Sequence, residues 1–368
     1  MAYIRKRGAK WYYTIEIGSG KDRKRKEVPG SSTRQEAEAA YARALVSLEA
    51  NGGYVEPTKK TVAEFFTEWL ADDVSINTHK NTARSYRSIF ENHIRPAIGD
   101  RKLRSIRPQM LQQLLNDAKQ NGLARSTVSS ICAVLKKAFI YASDFCEYLP
   151  KNPAQNIKIP KYAAPPKEIK TFSGEQLAAI FRQFPPGHQF FLPLSISYHT
   201  GARLGECCAL TWQDVDFETR EITIQKTVIV AGSVELQDVP KTSHSRRTLP
   251  YGEKLYKILK AEKARQAVAR LQNPKAADAF ICHTKQGQML NPDAMRYFNT
   301  WCRDTFGAGY TFHSLRHTHA TLLLEAGEDL ELVSKRLGHS SINTTAQTYS
   351  HVLDARNQKT RSLLDQVL

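Results

Sequence analysis

The sequence predicts a multidomain protein. A small α+β unit, a three-stranded sheet with one helix, comes first; an all-α bundle follows, and then a mainly α, mixed α/β domain. Three observations support this. At 368 residues the chain exceeds what one ordinary core organises. Two Pro/Gly/Lys-rich stretches interrupt its apolar patterning. Between them the apolar period changes from alternation to purely helical, and after the second it becomes mixed. A hydrophobic share of 41% supplies sizeable cores.

In the first unit, residues 1–56, Trp11-Tyr12-Tyr13-Thr14-Ile15-Glu16-Ile17 is rich in strand formers and ends in Gly18-Ser19-Gly20. A further strand follows through Lys24-Arg25-Lys26-Glu27-Val28. Ser32-Thr33 caps a helix with Ala37, Ala40, Tyr41, Ala44, Leu45 and Leu48 on one face. Arg5, Lys6, Arg7, Lys10, Arg23, Lys24, Arg25 and Lys26 interleave with aromatics. That mixture suits nucleic acid better than a merely solvated hairpin, and a small sheet can lie in a major groove.

Asn51-Gly52-Gly53 and Pro57-Thr58-Lys59-Lys60 form the first linker. Val62, Phe65, Phe66, Trp69 and Leu70 then fall at helical spacing. Tyr86, Ile89, Phe90 and Ile94 mark a second helix that should stop near Pro96; Leu111, Leu114 and Leu115 mark a third; Val128, Ile131, Leu135, Ala138 and Ala142 mark a fourth. This predicts a bundle over residues 61–155. Arg84, Arg87, Lys136 and Lys137 on its polar positions are candidate DNA contacts or a solvated face. A second linker, Pro150 to Lys170, reads as an extended strap, with Lys158 and Lys161 placed for phosphates.

The last domain spans 172–368. Ser173 with Gln176 forms a capping box. An apolar helix through Phe190, Phe191, Leu194 and Ile196 leads to Thr200-Gly201-Ala202-Arg203, and a helix from Leu204 to Trp212 follows. Strands are expected at 222–224, 227–230, 238–240, 247–249 and 279–282, with a long basic helix from Tyr251 to Leu271 and helices thereafter.

A formal charge of +17 and pI near 9.6 favour a polyanionic partner. Anionic membrane competes, but no apolar run approaches a spanning length. No apolar segment follows the charges of residues 1–13, so no secretory signal is expected. The six cysteines form no CxxC pair and read as reduced, cytosolic thiols; neither a disulfide framework nor a zinc ribbon is supported.

The candidate chemistry gathers in Thr311–Ser350, which holds His313, Arg316, His339 and Tyr349, with Arg203 and Lys241 upstream. Guanidinium groups meet phosphate oxygens bidentately and keep their charge. An imidazole takes a proton at neutral pH, a lysine donates one, and a phenol is a nucleophile once activated. Each residue also has a plainer reading. Arg203 with Glu206 at i+3 suits a surface ion pair, and Lys241 a solvated turn, with Arg246 and Arg247 as rivals for a phosphate. His313 and His317 at i, i+4 could bind zinc, though no glutamate base stands between them. His339 could satisfy helix-terminal carbonyls. Tyr349 could be a packing residue, although the polar run Ser340–Thr345 before it argues otherwise.

Jointly these residues resemble the tyrosine recombinases. Thr200-Gly201-Ala202-Arg203-Leu204-Gly205-Glu206 with Leu210–Asp216 is similar to that family's first box, and His313-Ser314-Leu315-Arg316-His317-Thr318-His319-Ala320 to its second. Leu337-Gly338-His339-Ser340 and Tyr349, ten residues after His339, complete the pattern. Lys241 before Thr242 matches the hairpin lysine; Ala202, where leucine is frequent, is the one departure seen. The three-part layout is similar to the integrases of temperate phages and integrative conjugative elements.

The resemblance implies an arm-binding unit, a SAM-like core-binding domain and a catalytic domain. Tyr349 would attack the scissile phosphate to give a 3′-phosphotyrosyl link and a free 5′-hydroxyl. Arg203 and Arg316 would clamp the non-bridging oxygens, Lys241 protonate the leaving oxygen, His313 act as base and His339 hydrogen-bond the phosphate. Glu206 would orient its neighbours. No cofactor, metal or ATP is implied. The implied partners are double-stranded attachment sites of core and arm type, and a homotetramer joined through the C-terminal tail (Val352, Leu353, Leu363, Leu364, Val367, Leu368), whose alternative is docking within its own chain. A directionality factor and a host DNA-bending protein belong to the same picture, with a cytoplasmic, nucleoid-associated location in a bacterial host. Rival readings are a type IB topoisomerase-like nicking-closing enzyme and a non-catalytic DNA-binding regulator.

Overall fold

Strand alternation near the N-terminus forms a three-stranded antiparallel sheet, β1 (Ile4–Arg7), β2 (Lys10–Ile17) and β3 (Lys24–Ser31), in that order. The computed structural model describes residues 4–17, 24–51, 58–163, 169–238, 246–272, 280–284, 286–350 and 352–353. Gly8, at φ 63°, makes the tight turn between the first two strands. The pleat turns Tyr13 and Ile15 toward α1 (Arg34–Asn51), where Tyr13 meets Tyr41 edge-on at 5.8 Å. The line through Ala37, Tyr41 and Ala44 takes the inward side of the helix, which leaves Leu45, expected to be buried, exposed at its edge.

On the opposite face Arg5 grips Glu27 through two hydrogen bonds, 2.5 and 2.8 Å, and Arg25 holds Glu16 at 3.0 Å. Two of the cations proposed for DNA are thus engaged by carboxylates of neighbouring strands.

The chain divides into two compact units, Met1–Ala163 and Ala164–Leu368. Besides the sheet, the first contains α2 (Val62–Trp69), α3 (Ser75–Asn77), α4 (Lys80–Ile89), α5 (Arg95–Ile98), α6 (Pro108–Gln120) and α7 (Arg125–Ile140). Thr61 and Glu64 cap α2 reciprocally. The core of this bundle centres on Phe65, Phe66, Trp69, Phe90 and Phe139, with Phe66 stacked on Phe90 at 4.8 Å.

The second helix does stop near Pro96: the chain stays helical only to Ile98. A π turn at Phe90–Ile94 lies directly before this last turn. The wider turn relieves the clash a proline ring makes with the carbonyl four residues earlier.

The described part of the Pro/Lys segment, residues 150–163, lies against the helical bundle. Ala154 and Ile157 are buried, Lys158 exchanges two backbone hydrogen bonds with the Gln112 side chain, both 2.9 Å, and Tyr162 donates to the Leu123 carbonyl at 2.9 Å. Its apolar side chains anchor this stretch on the helical bundle despite the missing proline donors.

The second unit opens with α8 (Gly174–Gln183) behind the Ser173/Gln176 box, then α9 (Phe191–Thr200) and α10 (Leu204–Ala209). Strands β4 (Val215–Asp216) and β5 (Glu221–Ile224) are followed by β6 (Lys226–Ala231) and β7 (Ser233–Asp238), a hairpin turned at Gly232; with β8 (Arg247–Pro250) the first two form a sheet ordered β4-β5-β8. β8 leads to α11 (Glu253–Gln272), then α12 (Arg296–Phe306), α13 (Phe312–Glu325), α14 (Leu330–Leu337) and α15 (Ile342–Thr348).

Two strand and helix ends differ from expectation, and a third lies mostly outside the described residues. α10 stops at Ala209, because the Leu210 backbone turns extended and Trp212 instead donates to Gln266 at 2.8 Å. Of the strand expected at 238–240 only Asp238 is described, as the end of β7 paired with β6; Val239 and Pro240 lie outside the described residues. Of the strand expected at 279–282, Ala279 lies outside the described residues, and at 280–282 an isolated bridge joins Phe280 to Thr211.

Candidate active site

The turn between α9 and α10 sets Arg203. Gly201 closes α9 in the left-handed region, φ 73°, and a Cβ there would lie 2.9 Å from both His319 and Leu337 side chains. Ser197 donates to the Ala202 carbonyl at 2.9 Å, and the Thr200 hydroxyl accepts from the Ala202 amide at 3.2 Å. Ala202 itself is fully buried, so the smaller residue fits a filled space. Arg203 then stands at the start of α10 with its side chain partly open to solvent.

Glu206 caps that start by accepting from the Arg203 amide at 2.8 Å and pairs with its guanidinium at 3.0 Å. This is no surface pair: the Glu206 side chain is 5% exposed, and Arg247, 7% exposed, meets both of its oxygens at 3.1 and 2.7 Å. Burial alone would raise the Glu206 pKa; the Arg247 hydrogen bonds and charge outweigh it, so its carboxyl is held below the ordinary value.

The C-terminal end of α14 gathers three arginines on three successive carbonyls. Arg247 Nε donates to Arg336 O at 2.9 Å, Arg316 Nη2 to Leu337 O at 2.6 Å and Arg203 Nη2 to Gly338 O at 3.1 Å. Helix C-termini carry unsatisfied carbonyls and partial negative charge, which favours cations there. Arg316 also donates to Gly201 O at 2.6 Å, tying α13 to the end of α9. Burial, then the neighbouring Arg203, lowers the Arg316 pKa to about 9, which still leaves it cationic at neutral pH.

On α13, Arg316 is buried while His313 one turn earlier is exposed. The His313 and His317 rings meet edge to face with centroids 4.7 Å apart. His317 Nδ1 lies 2.9 Å from the Tyr349 hydroxyl. Tyr349 is 1% exposed and packs with Ala320, Leu324, Val333, Leu337 and Val352. Burial pushes its phenol up to about 12, against the pull of Arg316. The polar run before it is therefore a short helix, α15, that delivers the ring into a core. Thr345 is buried there and bonds His339 Nδ1 at 2.7 Å. Burial, followed by Arg316 and Arg203, drives His339 down to about 4, so it is neutral.

The fold thus brings Arg203, Glu206, His313, Arg316, His339 and Tyr349 into one place. Lys241, Arg23 and the tail beyond residue 353 lie outside the described residues. Of the other cations proposed for DNA, Lys6, Arg7, Lys10, Arg84, Arg87, Lys137, Lys158 and Lys161 are exposed. Lys26 and Lys136 are half-buried, and Lys137 lies over the Tyr86 ring at 5.4 Å. Among the described residues no three His, Cys, Asp or Glu side chains converge as a metal site.

Sequence reasoning missed two contributors. In the sequence Arg247 reads only as a rival for phosphate, and His317 only as a possible zinc ligand. Arg247 gave no local signal, because its carboxylate partner lies 41 residues upstream. His317 was adjacent to Arg316 all along, but its contact with Tyr349 spans 32 residues and depends on how α15 folds back. Chemically, the site offers fixed guanidinium groups, neutral imidazole and a phenol in one place, which suits phosphoryl transfer to the phenol oxygen.

A model described as the phage integrase family matches residues 173–356, and one described as the N-terminal SAM-like domain of phage integrase matches residues 61–118. The chain is 30% identical to a "Tyrosine recombinase XerC-like" protein of Caldanaerobacter subterraneus subsp. tengcongensis, over 97% of this chain and 96% of that one. It is 26% identical to the ICEBs1 integrase of Bacillus subtilis over 80% of each. In fold it is similar to the Tn1549 transposon integrase in complex with a circular intermediate DNA, with a TM-score of 0.65 and 20% identity over 83% of this chain and 99% of that one. A lambda integrase dimer bound to a COC' core site aligns with a TM-score of 0.59 and 17% identity over 94% and 93%.

Proposed function

The chain belongs to the phage integrase family, and from that premise we propose that Tyr349 is the nucleophile of its DNA breaking and rejoining. It is a tyrosine recombinase, an enzyme of site-specific recombination for mobile elements. The observation that carries the site assignment is electrostatic. Around Arg316 stand Arg203 and Arg247 with the carboxylate of Glu206, an excess of fixed positive charge among the described residues that suits a phosphate.

In this reading the Tyr349 oxygen attacks the scissile phosphorus as the bond to the 5′-oxygen breaks. Arg203 and Arg316 hold the non-bridging oxygens as negative charge grows on them. Glu206 and the α14 carbonyls orient those guanidinium groups before DNA arrives. His339, neutral and anchored by Thr345, hydrogen-bonds the phosphate, and the paired imidazoles of His313 and His317 form the exit for the phenol proton. Lys241 protonates the leaving oxygen. The 3′-phosphotyrosyl link keeps the phosphodiester energy, so rejoining is the reverse attack by a 5′-hydroxyl.

Residues 1–56 are assigned to arm-type sites, 61–155 to the core site and 172–368 to catalysis. Four copies would act on paired attachment sites, joined through the C-terminal tail, with a directionality factor and a host DNA-bending protein as accessory partners. Among the described residues no helix is long and apolar enough to cross a membrane.

The test is a nicked suicide duplex carrying the attachment site. A denaturant-resistant protein–DNA adduct should form, persist in EDTA and vanish in Tyr349→Phe. No adduct on any attachment-site DNA would refute the assignment, and adducts on arbitrary duplex would favour a nicking-closing enzyme. Removing residues 1–56 should weaken arm-site binding while core cleavage survives.

A further inference from the structure

The phenol of Tyr349 must lose its proton to attack, and three histidines of the site are candidates to take it. His339 is committed elsewhere: its Nδ1 is bonded to Thr345 at 2.7 Å. His313 is exposed and meets His317, not the phenol, in the ring contacts of this site. His317 alone among them has a ring nitrogen at hydrogen-bond distance from the Tyr349 oxygen, 2.9 Å at Nδ1.

His317 is also well placed to keep that contact. It directly follows Arg316, whose guanidinium is fixed by two carbonyls, Gly201 O and Leu337 O, both at 2.6 Å. A phenol attacking a phosphate held by Arg316 stays next to the same turn of α13. Burial leaves that phenol protonated at neutral pH, so a proton acceptor within reach shortens the path to the phenolate.

We propose that His317 Nδ1 is the immediate acceptor of the Tyr349 proton, with His313 behind it rather than in contact with the nucleophile. This rests on Tyr349 being the nucleophile. In cleavage the phenol O–H bond breaks, its proton passes to His317 Nδ1, the new O–P bond forms, and the 5′-oxygen leaves with a proton from Lys241. To accept at Nδ1, His317 must carry its one hydrogen on Nε2 beforehand. In rejoining, the incoming 5′-hydroxyl returns its proton to Lys241, and the phenol recovers its own from His317.

The experiment measures adduct formation on the suicide duplex for the wild type, His317→Ala, His317→Asn, His313→Ala and Tyr349→Phe. Each is repeated, except the last, with 3,5-difluorotyrosine at position 349, whose more acidic phenol needs a base less. His317→Ala should slow cleavage about 10²–10⁴-fold, with its melting temperature and DNA affinity near wild type. The fluorinated residue should recover at least tenfold in His317→Ala and change His313→Ala little. His317→Asn, which keeps a hydrogen-bonding group without basicity, should behave like His317→Ala in rate and in fluorotyrosine rescue. Cleavage at the wild-type rate in His317→Ala overturns the proposal, as does a defect that the acidic phenol does not relieve. In both cases a wild-type adduct lost in Tyr349→Phe leaves the nucleophile assignment standing; absence of a wild-type adduct defeats both.

Discussion

Glu206 and Arg247 form a buried two-point ion pair, with oxygen–nitrogen distances of 3.1 and 2.7 Å, beneath the partly exposed Arg203. The same carboxylate caps α10 and holds Arg203, so one side chain links β8, the start of α10 and the Arg203 guanidinium.

Removing half of such a pair leaves an uncompensated buried charge. Glu206→Ala should therefore cost about 3–5 kcal/mol of stability in denaturant unfolding and lower cleavage as well. The Glu206 carboxyl has a lowered pKa in the fold, so its contribution is present at neutral pH and is lost as pH falls through that lowered value. Glu206→Gln should flatten the acid limb of stability below the ordinary carboxylate range. A wild-type-like stability for Glu206→Ala would contradict the burial of the pair.

His319 accepts from Arg336 Nε at 2.9 Å and bonds the Tyr198 carbonyl at 2.9 Å, which defines a neutral ring with its hydrogen on Nδ1. Burial, then Arg336, drives it down to about 3, and His339 lies at about 4. The unfolded chain protonates both near the ordinary value of ~6.5, so their stabilisation is complete above that pH and declines below it. Between pH 6 and 4.5 unfolding free energy should drop with a slope approaching 1.4 kcal/mol per unit for each histidine. His319→Gln should remove about half of that histidine slope, measured by urea titrations at several pH values. An unchanged slope would show that His319 is not buried neutral.

Gly201→Ala puts a Cβ into the left-handed turn, 2.9 Å from His319 and Leu337. Backbone strain at such a position costs on the order of 1–3 kcal/mol. The damage should also reach chemistry, because the Gly201 carbonyl holds Arg316 and Arg203 follows two residues later. Reduced melting temperature together with slower adduct formation is the expected pair of results.

Arg316→Lys tests geometry against charge. A lysine keeps a positive group but lacks the planar fork that reaches Gly201 O and Leu337 O together. Cleavage should fall about 10²–10³-fold, as when a preorganised donor is removed, while attachment-site affinity in a mobility-shift assay changes much less. Cleavage near the wild-type rate would mean that the fork is dispensable.

Much of this protein was legible as sequence because its signals are local. The apolar spacing from Val62 to Leu70, the capping boxes at Thr61 and Ser173, and the strand alternation of Trp11–Ile17 each act within a few residues. The motif residues Arg203, His313, Arg316, His339 and Tyr349 were legible as a joint pattern for the same reason: each box is short and its chemistry is carried by residue type. The net charge needed no fold at all to point to a polyanion.

What tertiary structure alone decided concerns partners distant along the chain. Nothing near Pro96 announced the π turn that precedes it, and nothing near Arg247 announced Glu206. Thr311–Ser350, polar in its last third, left open whether Tyr349 would sit in a core or at the surface. That outcome depends on α15 folding back on α14, so that Thr345 and Tyr349 share the apolar side with Val333 and Leu337. A helix C-terminus collecting Arg203, Arg247 and Arg316 is likewise a property of packing, since the attraction of carbonyls for cations acts only when the chain has brought them within hydrogen-bond reach.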